Sequence, residues 1–277
     1  MPKKLLFTIT VVLLVVAFSV SAFMVGRYVI EGKKSEDRFA ELANQASAAA
    51  TTEAPETETA PTKEETKPTE TTAPTEPKMI AGYEELYNQN DHLVGWIKME
   101  GTKMNYPVMQ TTPDPNDPDD PNDPNYYLYR DFDKKDSTRG SIYAWADADI
   151  DAPSDNITIF GHNMADGSMF NCLGAYTSKV AWENNPLITF DTLYEYHTYK
   201  IFAVFKTSAN LGQGFSYHKF VDAADEQEFN EFVAECKRLS FYDTGITPVY
   251  GDKLIALSTC EYTLDNGRLV VCAVRIT

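Results

Sequence analysis

The pattern of apolar and polar residues divides the chain into three stretches. The first, Leu5–Val25, contains 21 residues and no charged side chain. A helix of about 20 apolar residues spans the roughly 30 Å hydrocarbon core of a bilayer. This stretch is therefore predicted to be a membrane-spanning helix or a secretory signal peptide.

Two interpretations of this apolar stretch compete. A cleaved signal peptide would place the small residues around Val20 and Ala22 at the cleavage site. The apolar run continues past that site to Val25, which favours an uncleaved anchor. Basic residues flank the run on both sides and do not fix its orientation. We expect residues 1–30 to anchor the chain in the cell membrane, with the N-terminus inside and the remainder outside.

The second stretch, residues 31–78, is predicted to be an extracellular spacer. Residues 51–78 consist only of Thr, Glu, Pro, Lys and Ala, so they have no large apolar side chain to bury. Proline and like charges keep such a sequence extended. Before it, Phe39 and Leu42 have helical spacing, which predicts a short helix within residues 31–46.

The third stretch, residues 79–277, is predicted to be one folded domain. Its helices are expected at Ala81–Asn90, with Tyr83, Leu86 and Tyr87 on one face, and at Ala223–Leu239. Short strand-like runs are expected at residues 94–99, 141–145, 157–160, 187–190, 199–205, 254–258 and 269–276, with a turn at 265–267 between the last two. Many short strands and few helices indicate a mainly β fold, a closed and mostly antiparallel barrel with helical decoration.

Residues 111–125 interrupt this pattern. They contain five Asp and five Pro, and the tetrapeptide P-N-D-P occurs at 115–118 and again at 121–124. Such a sequence predicts an exposed loop. Carboxylates also bind calcium, but the ligand spacing and the glycine of an EF-hand loop are missing. A solvated insertion and an ion-binding loop both remain open.

Charge and cysteine content narrow the function. The chain carries a net charge of −17, and residues from 79 onward hold 30 of its 41 acidic and 15 of its 24 basic residues. This acidity argues against binding to nucleic acid, which requires a basic surface. The cysteines are Cys172, Cys236, Cys260 and Cys272. They form no C-x-x-C pair, which argues against a zinc site. Two disulfides are possible outside the cell, but most of the four are interpreted as free thiols.

Three residues are candidates for nucleophilic chemistry. Cys260 ends the strand-like run L-I-A-L-S-T-C, where a thiol is held rigidly and can still face a groove. His162 follows the strand-like run I-T-I-F, beside Gly161, which is expected to let the backbone turn. Arg268 follows the predicted turn, so it is expected near Cys260, where a guanidinium could stabilise a thiolate or an oxyanion.

Each candidate also has a simpler explanation. Cysteine is often a buried core residue. An isolated histidine is usually a surface or core residue, and Arg268 could pair with Glu261 or Asp265 on the surface. Residue type alone does not decide between these alternatives.

The order of these motifs resembles the active-site signature of the sortase family. The signature consists of G-H-N at 161–163, L-S-T-C at 257–260 and then Arg268; Ala256 stands where the family usually has Thr. Other runs resemble the class B sortases, namely Y-E-E-L-Y-N-Q-N-D-H-L-V-G-W-I at 83–97, N-Y-P-V-M-Q at 105–110, Y-Y-L at 126–128 and R-G-S-I-Y at 139–143. The resemblance covers about residues 79–277.

The resemblance implies both a fold and a reaction. The fold would be a barrel of about eight strands with an N-terminal helix and a long helix between the sixth and seventh strands. The reaction would be cysteine transpeptidation of a C-terminal sorting signal, cleaved after Thr, with Cys260 as nucleophile, His162 as acid and base, and Arg268 as oxyanion stabiliser. Further residues are expected to line the substrate groove: Ser258, Thr259 and Glu261.

The same resemblance implies the partners. They would be secreted proteins that carry sorting signals and an amine of peptidoglycan on a Gram-positive cell surface. Neither a metal nor another cofactor is expected. Pilin polymerisation and simple hydrolysis by a cysteine peptidase remain alternatives. An L,D-transpeptidase is disfavoured because its usual S-H-G motif is absent from the sequence. A displayed adhesin, with cysteines only in its core, is the non-enzymatic alternative.

Overall fold

A computed structural model describes residues 3–48, 77–111 and 123–277 of the chain. These residues belong to two compact units, Met1–Glu41 and Leu42–Thr277. Most of the predicted spacer and residues 112–122 of the Asp- and Pro-rich loop lie outside the described residues. The extension of the spacer and the exposure of that loop therefore stay predictions, as does the division into anchor, spacer and catalytic domain.

Helix α1, Lys3–Ala48, contains the apolar stretch. The side chains of residues 7–25 are exposed, with Leu13 at 63% and Phe18 at 76%. Within the described ranges, α1 is the one helix whose length and composition would allow it to cross a membrane. The separate short helix expected within residues 31–46 is instead part of α1, because no proline interrupts residues 3–48.

Helix α2, Tyr83–Gln89, begins two residues later than predicted and ends one residue earlier. Tyr83 and Leu86 are buried as expected, and Tyr87 is partly buried. The Tyr83 hydroxyl donates a hydrogen bond to Asp191 Oδ2 at 3.0 Å. This bond ties the helix to the wall of the barrel.

Eight strands form the closed barrel that the sequence predicted. They are β1 Leu93–Lys98, β2 Asn105–Met109, β3 Ile142–Ala144, β4 Asn156–Phe160, β5 Leu187–Thr192, β6 Thr198–Ser208, β7 Leu254–Glu261 and β8 Gly267–Arg275. Around the barrel their order is β1-β2-β3-β4-β7-β8-β6-β5. Only the β2–β3 and β4–β7 pairs are parallel, so the barrel is mostly antiparallel, as expected.

Strand β2 was not among the predicted strands. Pro107 lies at its centre, and proline removes a backbone donor from a sheet. The strand accommodates Pro107 because its pairing with β3 begins only at Val108. Short helices complete the fold between β4 and β5, a 3₁₀ helix at Phe170–Thr177 and α3 at Lys179–Asn184.

Helix α4, Glu226–Leu239, lies between β6 and β7, where the long helix was expected. It begins three residues later than predicted because the Asp225 side chain accepts a hydrogen bond from the Glu228 backbone N–H and caps the helix. Its buried stripe contains Phe229, Phe232, Val233 and Cys236. All four cysteines are free thiols, and Cys236 is a core residue whose sulfur lies 4.0 Å from that of Cys272.

The packing of α4 yields a first prediction. Replacing the fully buried Phe229 with Ala should lower the free energy of unfolding by about 3–5 kcal/mol, because it leaves a cavity between α4 and the barrel. Denaturant titration of the full chain measures this change. The neighbouring Asn230 is exposed, so Asn230→Ala should cost less than about 0.5 kcal/mol. Equal effects of the two substitutions would contradict this packing.

Candidate active site

The parallel pairing of β4 and β7 brings His162 and Cys260 to the same end of the barrel. Phe160 lies opposite Ser258, and the Gly161 N–H extends the ladder by donating to the Ser258 carbonyl at 3.1 Å. His162 and Cys260 each follow that pair by two residues. Because the strands run in the same direction and neighbouring strands lie about 4.8 Å apart, the two residues lie side by side at this end of the barrel.

Antiparallel pairing of β7 and β8 places Arg268 directly opposite Cys260. Directly opposed residues point to the same face, with Cβ atoms about 4.5–5.5 Å apart. The Arg268 guanidinium is held by Nη1, which donates to the Gly267 carbonyl at 2.9 Å and to Asn266 Oδ1 at 3.1 Å. The predicted turn is present, with Asn266 in the left-handed region at φ 49°.

Two other thiols are less suited to act as the nucleophile. Cys236 is buried, whereas Cys172, like Cys260, is partly exposed. Burial raises the pKa of Cys172 to about 11 and also raises the pKa of Cys236. Since the thiolate is the attacking form, Cys172 and Cys236 are poor nucleophiles. The position of Cys260 beside His162 and Arg268 therefore favours it as the nucleophile.

A backbone carbonyl orients the His162 ring. His162 Nε2 lies 2.8 Å from the Leu128 carbonyl oxygen, at the end of the 3₁₀ helix Tyr126–Leu128. A carbonyl only accepts, so Nε2 carries a proton and Nδ1 holds the lone pair of the neutral ring. The Tyr129 ring packs beside the imidazole, with centroids 5.9 Å apart. Nδ1 is thus the nitrogen available for proton transfer.

Gly161 is required for a reason other than the one the sequence suggested. Its φ does not lie in the left-handed region. A Cβ at this position would overlap Ile142 Cδ1 and come within 2.9 Å of the Phe170 ring. Close packing, rather than a special backbone turn, therefore excludes a side chain before His162.

The structure does not place the side chains of Ser258 and Thr259 in a groove. They are 1% and 2% exposed. The Ser258 hydroxyl is hydrogen-bonded to the Tyr217 hydroxyl at 2.6 Å, and the Thr259 hydroxyl donates to the Gly161 carbonyl at 2.7 Å. Both hydroxyls are engaged inside the fold, and the lining of a substrate groove by these residues stays a prediction. They support the strand that carries Cys260.

Glu261 organises the turn between β7 and β8. Its carboxylate accepts hydrogen bonds from Lys206 Nζ at 2.7 Å and from the backbone N–H groups of Thr263 and Leu264 at 3.0 and 3.1 Å. Burial opposes ionisation, but the hydrogen bonds from Lys206 and Thr263 outweigh it and lower the pKa of Glu261 to about 2. Its side chain is 10% exposed, so it borders the site mainly as the support of the turn.

Several groups near Cys260 have no signal in the sequence that predicts their position. Tyr143 and Tyr217 both interact electrostatically with Cys260 and Arg268, and burial raises the pKa of Tyr217 to about 12. Tyr143 lies in the run R-G-S-I-Y, and nothing in that run indicates that Tyr143 lies near Cys260. The sequence cannot single out the Leu128 carbonyl, because every residue has a backbone carbonyl.

Among the described residues, no cluster of three or more His, Cys, Asp or Glu side chains could hold a metal ion.

Comparisons with known proteins agree with this geometry. The family model described as Sortase domain matches residues 97–276. Sortase B of Staphylococcus aureus is 29% identical over 193 residues, which cover 69% of this chain and 73% of the relative. Sortase B of Listeria monocytogenes is 26% identical over 189 residues, 68% of this chain and 71% of the relative.

Solved structures show the same similarity. The Staphylococcus aureus sortase B–substrate complex superposes with a TM-score of 0.71 at 25% identity, over 90% of this chain and 99% of that one. Sortase B from Bacillus anthracis, in complex with AAEK1, gives 0.66 at 26% identity, over 90% and 99%. The barrel and its helices therefore match those of class B sortases.

The Glu261 contacts yield a second prediction. A carboxylate whose pKa is lowered by folding contributes stability that is fully present above its unfolded pKa, about 4.5, and is lost as the pH falls toward about 2. Wild type should therefore be more stable than Glu261→Gln at pH 6, and the difference should vanish near pH 2. Denaturant titrations across this pH range measure the difference.

A matched variant tests the cause of this pH dependence. Lys206→Met removes the charged partner but keeps the carboxylate, so it should reduce the additional effect of Glu261→Gln at pH 6. A constant difference between wild type and Glu261→Gln from pH 6 to pH 2 would contradict the assignment.

Proposed function

Because the chain belongs to the sortase family, we propose that it is a cysteine transpeptidase. It cleaves a C-terminal sorting signal of secreted proteins after Thr and joins the new acyl group to an amine of the cell wall. The observation that carries this proposal is the convergence of Cys260, His162 and Arg268 at the common end of β4, β7 and β8. A thiol, an imidazole and a guanidinium are the groups that such an acyl transfer requires.

The reaction has two halves. In the first, the Cys260 thiolate attacks the carbonyl carbon of Thr, a C–S bond forms and the C–N bond to the next residue breaks. Protonated His162 gives its proton to the leaving amine. In the second half, neutral His162 takes a proton from the incoming amine, which attacks the thioester, and the thiolate leaves. Since Nε2 donates to the Leu128 carbonyl, Nδ1 carries the transferred proton in both halves.

Arg268 is proposed to stabilise the oxyanion of each tetrahedral intermediate. The hydrogen bonds that hold its guanidinium, within the described part of the chain, all use Nη1. The remaining N–H groups of the fork can then face the oxyanion.

The N-terminal part determines where the reaction occurs. Residues 1–30 of the chain are proposed to be a single membrane anchor with its N-terminus inside. The exposed apolar side chains of residues 7–25 support the anchor. Residues 31–78 then form the spacer, and the catalytic domain of residues 79–277 reaches the cell wall from outside the membrane. The acceptor is an amine of a peptidoglycan stem or cross-bridge.

Supplying a sorting-signal peptide with and without an amine acceptor tests this function. The full chain in detergent micelles is incubated with peptides of the Asn-Pro and Pro-Pro types that contain Thr at the cleavage position. A glycine peptide or a stem peptide with a free side-chain amine serves as the acceptor. We expect cleavage after Thr and a ligated product. Hydrolysis without ligation would favour a cysteine peptidase, and no cleavage of any peptide would contradict the proposal.

Replacement of Arg268 yields a further prediction. Arg268→Lys keeps the positive charge but loses the planar fork, so kcat should fall by roughly 10²- to 10³-fold while KM changes little. Steady-state kinetics with the cleaved peptide measure both constants. Arg275→Lys, at the other end of β8, is the matched control and should retain wild-type kcat. A wild-type kcat in Arg268→Lys would remove Arg268 from the mechanism.

A further inference from the structure

The backbone ladder between β4 and β7 stops just before the carbonyl of Cys260. The Gly161 N–H donates to the Ser258 carbonyl, and carbonyls of alternate residues along a strand point to the same side. The next carbonyl on this edge of β7 is therefore that of Cys260. Strand β4 has ended at Phe160, and the side-chain Nδ2 of Asn163 donates to the Cys260 carbonyl at 3.0 Å.

A second asparagine determines which end of the Asn163 amide faces Cys260. Asn171, in the 3₁₀ helix Phe170–Thr177, donates from Nδ2 to Asn163 Oδ1 at 2.8 Å. The oxygen of Asn163 is thereby occupied as an acceptor, and its NH₂ group is directed to Cys260. The two asparagines thus link the 3₁₀ helix to the backbone of Cys260 through consecutive hydrogen bonds.

These bonds attach both neighbours of His162 to β7. Before His162, the Gly161 carbonyl accepts from the Thr259 hydroxyl at 2.7 Å. After His162, Asn163 binds the Cys260 carbonyl. The His162 carbonyl itself accepts from the Phe170 N–H at 2.9 Å, so the backbone of His162 is fixed on three sides.

We propose that Asn163, oriented by Asn171, is a positioning residue that sets the approach of the His162 imidazole to the Cys260 thiol through its bond to the Cys260 carbonyl. The proposal rests on the proposed function, since positioning matters only if the histidine and the thiol act together. A displacement of about 1 Å in such a pair can cost about 100-fold in rate. A merely structural role would lower stability without changing the turnover of folded protein.

Asn171→Asp tests these consecutive hydrogen bonds without removing side-chain volume. The ionised carboxylate of this variant only accepts, so it would bind the NH₂ group of Asn163 and turn the Asn163 oxygen toward the Cys260 carbonyl. We expect kcat to fall roughly 10- to 100-fold with KM unchanged. Asn163→Ala, which deletes the bond, should have the same effect. Asn185→Ala is the matched control, because Asn185 Nδ2 donates to the Glu100 carbonyl at 2.7 Å on another part of the barrel.

The ring resonances of ¹³C-labelled histidine, in the full chain in micelles, supply a readout that does not depend on turnover. The resonance of His162, assigned with His162→Ala, should shift in Asn171→Asp and Asn163→Ala and stay in place in Asn185→Ala. An unmoved resonance overturns the proposal, and so does wild-type kcat in both asparagine variants. If wild type cleaves no peptide, the proposed function fails, and the His162 resonance alone decides whether Asn163 positions the ring.

Discussion

The parallel pairing of β4 with β7 is the constraint on which the site depends. These strands are separated by more than ninety residues, and their pairing is what closes the barrel between β3 and β8. Because the two strands run in the same direction, Cys260 near the end of β7 and His162 just after β4 lie at the same end of the barrel. A slip of one residue in this register would turn every side chain of β7 to the opposite face and separate Cys260 from His162.

Charged residues in this acidic domain fix the loops that border the site. Lys206 binds Glu261 and holds the turn after Cys260. The buried Arg139 forms an ion pair with Asp166 and donates to the Ser168 hydroxyl at 2.8 Å, which holds the loop after His162. The two loops are therefore held independently, each by its own ion pair.

The sequence predicts local features of this molecule well. Cys260 and Arg268 are eight residues apart across a turn, so a hairpin pattern was enough to place them opposite each other. The buried stripe of α4 and the positions of most strands likewise followed from the spacing of apolar residues in the sequence. His162 is different, because no local pattern specifies a parallel pair across 98 residues, and only the resemblance to sortases joined it to Cys260. The burial of Ser258 and Thr259 depends on Tyr217 and Gly161, which tertiary packing alone brings close.

In the proposed mechanism the thiol at the end of β7 forms a covalent bond with the acyl group of a sorting signal. Intact-mass and peptide-level mass spectrometry of the full chain, after exposure to a cleaved signal peptide without acceptor, tests this claim most directly. We predict a thioacyl adduct on Cys260 that is lost when an amine acceptor is added and is absent from Cys260→Ala. An adduct on Cys172 or Cys236, or cleavage that continues in Cys260→Ala, would contradict the account.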